Sequence, residues 1–187
     1  MQEVIDQVIQ QTRDEMEHSI EHLKHELMKV RTGKAASNLV TDILVSYYGT
    51  PTPMSQIANI GTADSRTITI QPWEKSMIEP IERAIFEANL GLTPQNDGEL
   101  VRLSIPVLTQ DRRMEYVKKA KALGEDAKVS IRSVRHKAMD IIKKAVKDGY
   151  PEDAGKRMEG EVQDITNNFG KKVDDYVSAK EKDILTI

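Results

Sequence analysis

An apolar stripe in the first thirty residues restricts the chain to few folds. Its members step by three and four positions over about 25 residues. They are Ile5, Ile9, Thr12, Met16, Ile20, Leu23, Leu27 and Val30. This spacing predicts one long helix with a narrow seam, and the seam must be buried against other helices that have the same repeat.

Two segments with the same repeat lie far along the chain. One runs from about Gln110 to Val146, and the other follows Pro151. At about 1.5 Å per residue, the first of these would form a helix roughly 55 Å long. Together with the N-terminal segment, they predict a long three-helix bundle.

Between Arg31 and Ile105 the apolar residues alternate, which is typical of half-buried strands. The alternating positions are Ile43, Val45 and Tyr47; Ile68 and Ile70; and Val101, Leu103 and Ile105. Turn residues are expected to separate the strands, at Gly49-Thr50-Pro51-Thr52-Pro53, at Gly61 and at Asn96-Asp97-Gly98. One amphipathic helix is expected from about Lys75 to Leu90. The sequence therefore predicts an α+β protein with a small β/α/β domain inserted after the first helix.

The chain is expected to cross between these two domains twice. The bundle would consist of residues 1–30 and 106–187, and the insert of residues 31–105. Proline at position 106 prevents the last strand from continuing unbroken. Two adjacent crossings predict a hinge, at Val30 and Arg31 and at Ile105 and Pro106.

Charge is sorted along the sequence. The chain as a whole has 27 Lys and Arg against 30 Asp and Glu, and a formal net charge of −3 by itself argues against a nucleic-acid partner. Residues 112–147, however, hold 12 basic and 4 acidic residues. On a helical wheel, six of these bases fall within an arc of about 100° beside the apolar seam. They are Lys118, Lys121, Lys128, Arg132, Arg135 and Lys143, and they are called the basic stripe below.

A basic stripe of this kind suits a phosphate backbone, because a guanidinium group such as that of Arg132 or Arg135 can bind phosphate with two parallel hydrogen bonds. RNA and DNA would fit about equally well, since contacts to the backbone carry little sequence information. The alternative interpretation is a solvated face lying against the acidic first helix, where residues 1–30 hold 7 acids and 3 bases.

One string resembles a zinc site. His18-Ser19-Ile20-Glu21-His22 matches the H-x-x-E-H pattern of some zinc proteases, and His25 lies one turn further on. The three histidines cluster opposite the apolar seam, so they are expected to face water and to hold no metal. The chain also lacks a phosphate-binding glycine loop followed by lysine, and Asp64-Ser65-Arg66 has no adjacent histidine to activate the serine. We therefore expect no cofactor, no catalytic residue and no enzyme activity.

Trp73 allows two interpretations. A tryptophan between a strand and a helix is more often part of a small core, although it could also bind a partner. The chain has no cysteine, which favours a reducing compartment. No apolar run approaches the roughly 18 residues of a membrane span, and the first residues lack the pattern of a signal peptide. A cytoplasmic protein that does not enter the membrane is expected.

Six strings distributed along the chain carry a family resemblance. They are Val30-Arg31-Thr32-Gly33-Lys34-Ala35, Tyr47-Tyr48-Gly49-Thr50-Pro51-Thr52-Pro53, Asp64-Ser65-Arg66-Thr67, Leu90-Gly91-Leu92, Pro106-Val107-Leu108-Thr109-Gln110-Asp111-Arg112-Arg113 and Arg132-Ser133-Val134-Arg135-His136. With the length and the order helix, insert, helix, helix, they resemble the bacterial ribosome recycling factor family along essentially the whole sequence.

This resemblance implies an L-shaped protein, similar in outline to transfer RNA, in which a flexible hinge joins the bundle to the insert. It implies binding to the RNA of the large ribosomal subunit after termination, and action with elongation factor G and GTP to separate the subunits and release the mRNA. We expect a monomer. The implied contacts to ribosomal RNA are Arg31, Lys34, Arg112, Arg113, Arg132 and Arg135, and the basic stripe adds Lys128.

Two positions depart from the family pattern. Lys34 stands where arginine is common, and His136 stands where a second consecutive arginine is common. Contacts that need a planar guanidinium are therefore better assigned to Arg135 than to His136. The main alternative function is a cytosolic helical adaptor that binds an acidic protein through the same stripe. A zinc hydrolase is the third interpretation.

Overall fold

The computed structural model describes residues 2–187 and divides them into two compact units. One unit consists of the residues up to Val30 together with Asp111–Ile187, and the other of Arg31–Gln110. The second boundary follows Gln110 because the segment after Ile105 packs with the small unit. A Cβ added to Gly33, for example, would lie 3.0 Å from Cγ of Leu108. The predicted hinge itself stays a prediction.

Within residues 2–187, four α-helices form in chain order. They are α1 (Gln2–Met28), α2 (Ile78–Glu87), α3 (Gln110–Lys147) and α4 (Glu152–Leu185). The first, third and fourth make up the larger unit, so the predicted three long helices are confirmed. With 38 residues, α3 is roughly 57 Å long at 1.5 Å per residue.

The apolar seam of α1 is buried in the core of the bundle along its whole length. The hydroxyl of Thr12, the polar member of the seam, donates a 2.7 Å hydrogen bond to the carbonyl oxygen of Val8, which allows its burial. The facing residues include Ile131 and Ile142 of α3 and Ile165 of α4. The long apolar repeats therefore meet one another, as their common period requires.

The small unit contains six strands. They are β1 (Leu44–Tyr47), β2 (Thr50–Pro53), β3 (Ala58–Asp64), β4 (Thr67–Pro72), β5 (Pro94–Asn96) and β6 (Val101–Ser104). Strands β1 and β2 pair as a hairpin, and the other four form an antiparallel sheet in the order β3-β4-β6-β5. Helix α2 follows a short 3₁₀ turn at Lys75–Met77. Ile81 and Ile85 of α2 share a core with Ile68 and Leu103 of the sheet.

Two segments predicted as turns are strands instead. Thr50–Pro53 forms β2, and the turn before it is made by Tyr48 and Gly49, which have φ values of 48° and 83°. Prolines are tolerated in β2 because it is an edge strand, where no ladder hydrogen bond is needed on the free side. Gly61 lies within β3, opposite Thr69.

The core interpretation of Trp73 is wrong. Its side chain is 67% exposed, although its backbone N–H donates to the carbonyl oxygen of Ile57 at 3.2 Å. The neighbouring Pro72 and Met77 are buried in its place. The backbone of this junction is thus held while the indole ring stays in solvent.

Candidate nucleic-acid interface

The basic stripe lies on one continuous helix whose other face is anchored in the core. Ala127, Ile131 and Ala138 of α3 are at most 8% exposed. On the outer side Lys118, Lys121, Arg132 and Lys143 are exposed, whereas Lys128 and Arg135 are half-buried. The side chains of the stripe therefore project from a rigid support.

The stripe borders α4. Nζ of Lys128 lies 2.6 Å from Oδ1 of Asp174, and Nζ of Lys121 lies 4.0 Å from Oε1 of Glu181. The acidic α1 instead pairs with Lys137, which is outside the stripe, through Glu15 at 3.0 Å. The alternative in which the stripe lies against α1 is therefore wrong, and α4 neutralises only part of the stripe.

Neither of the two arginines of the stripe is neutralised by a carboxylate in the described part of the chain. Arg132 forms no ion pair with any residue in the described range 2–187. Nε of Arg135 donates a 2.8 Å hydrogen bond to Oε1 of Gln163, which is a neutral partner. Both guanidinium groups therefore remain available to an anion, and they lie one turn apart on the same helix.

A groove of about 370 Å³ runs between α3 and α4 beside these arginines. The residues that line it are Lys128, Ile131, Arg132, Thr166, Asn167, Gly170, Lys171 and Asp174. Cations from both helices thus face one groove. Sequence reasoning missed the contributions of α4, because a wheel drawn for α3 alone does not show which residues of another helix lie beside it.

Arg112 and Arg113 differ in their surroundings. Arg112 is exposed, and its Nη1 lies 3.3 Å from Oε2 of Glu115. Arg113 is only 9% exposed, because it precedes the buried Val117 by four positions and falls on the apolar seam. No buried polar side-chain atom among residues 2–187 lacks a hydrogen-bond partner. The side chain of Arg113 therefore does not lie on the exposed face of α3, whereas an RNA contact would have to lie there.

Arg31 and Lys34 belong to the small unit. Arg31 is half-buried, and its Nη2 donates a hydrogen bond to the carbonyl oxygen of Leu90, just after α2. Lys34 is also half-buried. The structure thus brings Lys128, Arg132 and Arg135 together on α3, and it gives Arg31 a role within its own unit.

The histidines of the zinc-like string face water. His18, His22 and His25 are all exposed, as their position opposite the seam predicts. His18 and His22 line a wide groove of about 530 Å³ between α1 and α3. Among residues 2–187 no three His, Cys, Asp or Glu side chains are grouped so that they could hold a metal ion. None of the helices in that range is long and apolar enough to cross a membrane.

Comparison with known proteins identifies relatives over almost the entire length. The family model for ribosome recycling factor matches residues 23–185. The ribosome-recycling factor of Porphyromonas gingivalis is 47% identical over 184 residues, which is 98% of this chain and 99% of that protein. The ribosome-recycling factor of Trichlorobacter lovleyi is 46% identical over 96% of this chain and 98% of its own length.

Solved structures agree with these matches. A solution structure of a ribosome recycling factor has a TM-score of 0.82 with 32% identity, and the alignment covers 98% of each chain. A second structure, described as models for the T. thermophilus ribosome recycling factor and the E. coli elongation factor G bound to the E. coli post-termination complex, has a TM-score of 0.68 with 38% identity. That alignment covers 97% of this chain and 99% of the other. The chain therefore belongs to the ribosome recycling factor family, whose members are translation factors and not enzymes.

Proposed function

We propose that this protein recycles ribosomes: it binds the RNA of the large subunit after termination and, with elongation factor G and GTP, promotes separation of the subunits and release of the mRNA. The family match and the relatives support this assignment. The protein would act in the cytoplasm, where ribosomes translate.

The observation that supports RNA binding is that carboxylates neutralise some cations of the basic stripe and leave others unpaired. Lys121 and Lys128 pair with carboxylates of α4, whereas Arg132 and Arg135 pair with no carboxylate among residues 2–187. A solvated face that only served solubility would usually mix both signs. The two arginines are therefore proposed as the main phosphate contacts, with Lys128 beside them.

Further contacts are proposed for Arg112, which is exposed, and for Arg31 and Lys34 of the small unit. Arg113 is left out because its side chain is buried. Each cation that neutralises a phosphate releases counterions, so the affinity should fall steeply as salt rises. RNA binding through this face would give tight attachment with little dependence on base sequence.

The second part of the proposal concerns movement. The bundle would stay attached to RNA while the small unit moves about a hinge at Val30 and Arg31 and at the second crossing, between Ile105 and Asp111, when the GTPase partner acts on it. The separate cores of the two units support this idea, because each unit can keep its own packing while the other moves. The energy would come from GTP hydrolysis by the partner.

The test is sedimentation of post-termination ribosomes through a sucrose gradient with this protein, elongation factor G and GTP, each omitted in turn. Splitting into subunits that requires all three supports recycling. Intact ribosomes without co-sedimenting protein would contradict it and favour the adaptor that binds an acidic protein.

A charge reversal tests the RNA contact. We expect Arg132→Glu to weaken ribosome binding at least tenfold, since a phosphate contact becomes a repulsion, and to lower the slope of log affinity against log salt by about 1 or more. Arg157→Glu on α4 is the matched control, because Arg157 is also exposed on a helix and has no ion pair within residues 2–187. Equal affinities of the two variants would exclude the proposed contact.

A further inference from the structure

A chain of hydrogen bonds links α3 to the outer side of α4. Nε of Arg135 donates to Oε1 of Gln163 at 2.8 Å, and Nε2 of Gln163 donates to Oδ1 of Asn167 at 2.9 Å. A guanidinium group has only donors. The atom of Gln163 that faces Arg135 must therefore be its carbonyl oxygen.

This first assignment fixes the orientation of both amides. With its oxygen turned to Arg135, Gln163 presents its amide nitrogen to Asn167, and that nitrogen can only donate. Asn167 must then accept this hydrogen bond with its oxygen Oδ1. Its own Nδ2, which carries two hydrogens, remains available to donate to a group outside these three residues. Arg135 likewise keeps its two terminal nitrogens. Arg135 and Asn167, at the two ends of this chain of hydrogen bonds, therefore both offer hydrogen-bond donors.

Asn167 lines the groove between α3 and α4 together with three cations. Lys128 is paired with Asp174, the acid at this groove. Arg132 and Lys171 form no ion pair with any residue from 2 to 187. The groove thus combines uncompensated positive charge from both helices with an amide donor held in one orientation.

Gly170 provides the space for a ligand. A Cβ added at this position would have no atom within 4 Å, and Gly170 lines the groove between Asn167 and Asp174. A side chain here would occupy the groove. Its absence leaves room beside Lys171 for a group larger than water.

We propose that Asn167 and Lys171 of α4, with Gln163 as a positioning residue, complete a site for an RNA phosphate beside Arg132 and Arg135. Phosphate oxygens only accept hydrogen bonds, which matches a groove that presents donors and cations. RNA is the expected source because the groove borders the basic stripe, and the inference therefore rests on the proposed function. An acidic protein segment would be the other outcome of the test.

The experiment measures the affinity of purified large ribosomal subunits for full-length variants across a salt titration. We expect Lys171→Gln to weaken binding roughly three- to tenfold and to reduce the salt slope by about 1, as for the loss of one phosphate contact. Lys172→Gln is the matched control, because Lys172 is paired with Glu17 at 3.6 Å and does not line the groove.

Asn167→Ala should weaken binding roughly threefold or more with an unchanged salt slope, because a neutral donor is lost. Asn168→Ala is its control, since Asn168 is the exposed neighbour on the same helix and does not line the groove. Thermal unfolding of each variant shows whether the fold is retained.

A double-mutant cycle tests the positioning role of Gln163. If Gln163 acts by orienting Asn167, Gln163→Leu should weaken binding by itself, and adding Asn167→Ala to it should have little further effect. Additive losses would contradict positioning, because Asn167 would then act equally well without its partner.

The outcomes separate this inference from the proposed function. If Lys171→Gln and Asn167→Ala match their controls while Arg132→Glu weakens binding, the groove site is wrong and the basic stripe stands. If Arg132→Glu has no effect, the proposed RNA contact itself fails. Complexes of the protein that resist ribonuclease would identify an acidic protein as the ligand and overturn the RNA assignment.

Discussion

The ion pair between Lys128 and Asp174 joins α3 to α4 with a distance of 2.6 Å from Nζ to Oδ1. It crosses the groove in which Arg132 and Lys171 lie. The lysine is largely covered, with 29% of its side chain exposed, whereas the aspartate is 66% exposed. In the free protein, Asp174 therefore neutralises Lys128, which is one of the cations of the proposed RNA-binding face.

Removing the acid should strengthen RNA binding. In Asp174→Asn the charge of Lys128 is released, so we expect tighter binding to large subunits and a steeper salt dependence. Stability should change by less than about 1 kcal/mol, since the carboxylate of the pair is exposed to solvent and such surface pairs contribute little. The control is Asp175→Asn, which makes the same charge change at an exposed residue outside the groove. Equal effects of the two variants would mean that net charge alone matters.

A side chain placed in the groove should weaken ribosome binding without lowering the stability of the protein. Gly170→Met and Gly160→Met both place a side chain on α4 where a Cβ has no atom within 4 Å. Both should stabilise the protein by about 0.5–1 kcal/mol, because glycine is unfavourable within a helix. Only Gly170→Met should weaken ribosome binding, since only Gly170 lines the groove. Normal binding by a stabilised Gly170→Met protein would count against a ligand there.

Gly124 should be essential to the packing of α3 on α4. A Cβ at this position would lie 2.6 Å from Cγ2 of Val177, which is closer than real contacts allow. Gly124→Ala should therefore lower the free energy of unfolding by about 1–3 kcal/mol through overpacking. Gly160→Ala, the same change in open space, should raise it instead. Chemical denaturation measures the free energy of unfolding of both variants. If both substitutions changed it in the same direction, the tight contact between position 124 and Val177 would be refuted.

The pKa of Glu74 should report on the hairpin formed by β1 and β2. The hydroxyl of Tyr48 donates to Glu74 Oε2 at 2.6 Å and that of Tyr47 to Oε1 at 3.0 Å, and these bonds lower the pKa of this carboxyl below its ordinary value. Because the folded pKa is lowered, the stabilisation is present above the ordinary glutamate value of about 4.3 and is lost as the pH falls through the folded pKa.

Carboxyl-detected NMR titration measures this shift directly. In Tyr48→Phe the pKa of Glu74 should move back toward its ordinary range, because the hydrogen bond of Tyr48 is the largest cause of the shift. Tyr116→Phe in the bundle is the control and should leave Glu74 unchanged. A Glu74 that titrates normally in the unsubstituted protein would mean that the two tyrosines do not hold it in solution.

The long helices could be predicted because their repeats extend over many turns. The seam from Ile5 to Val30 allows only one buried face, and the structure buries that face. The hairpin strand Thr50–Pro53 was missed because two prolines suggest a turn, and only the pairing of Tyr47 with Thr50 shows that the chain continues as an edge strand. Short polar strands carry too little alternation to be recognised alone.

The candidate site was predicted in part. Arg132 and Arg135 stand on the polar side of one helix, and a wheel for that helix is enough to place them. Arg113 was assigned to the RNA contacts from the family resemblance, although the apolar seam of α3 runs through position 113 and its side chain is buried. Asn167 and Lys171 could not be found from the sequence, since their place depends on the register of α4 against α3 that pairs Lys128 with Asp174.

The exposed ring of Trp73 gives the chain its own optical reporter. It is the single tryptophan of the sequence, and it lies on the small unit with 67% of its surface in solvent. Indole emission moves to shorter wavelength when water is removed from the ring, so any factor that covers this part of the small unit would be seen without a chemical label. RNA contacts confined to the bundle would leave the same signal unchanged, so a change in emission during rapid mixing would time the event at the small unit alone.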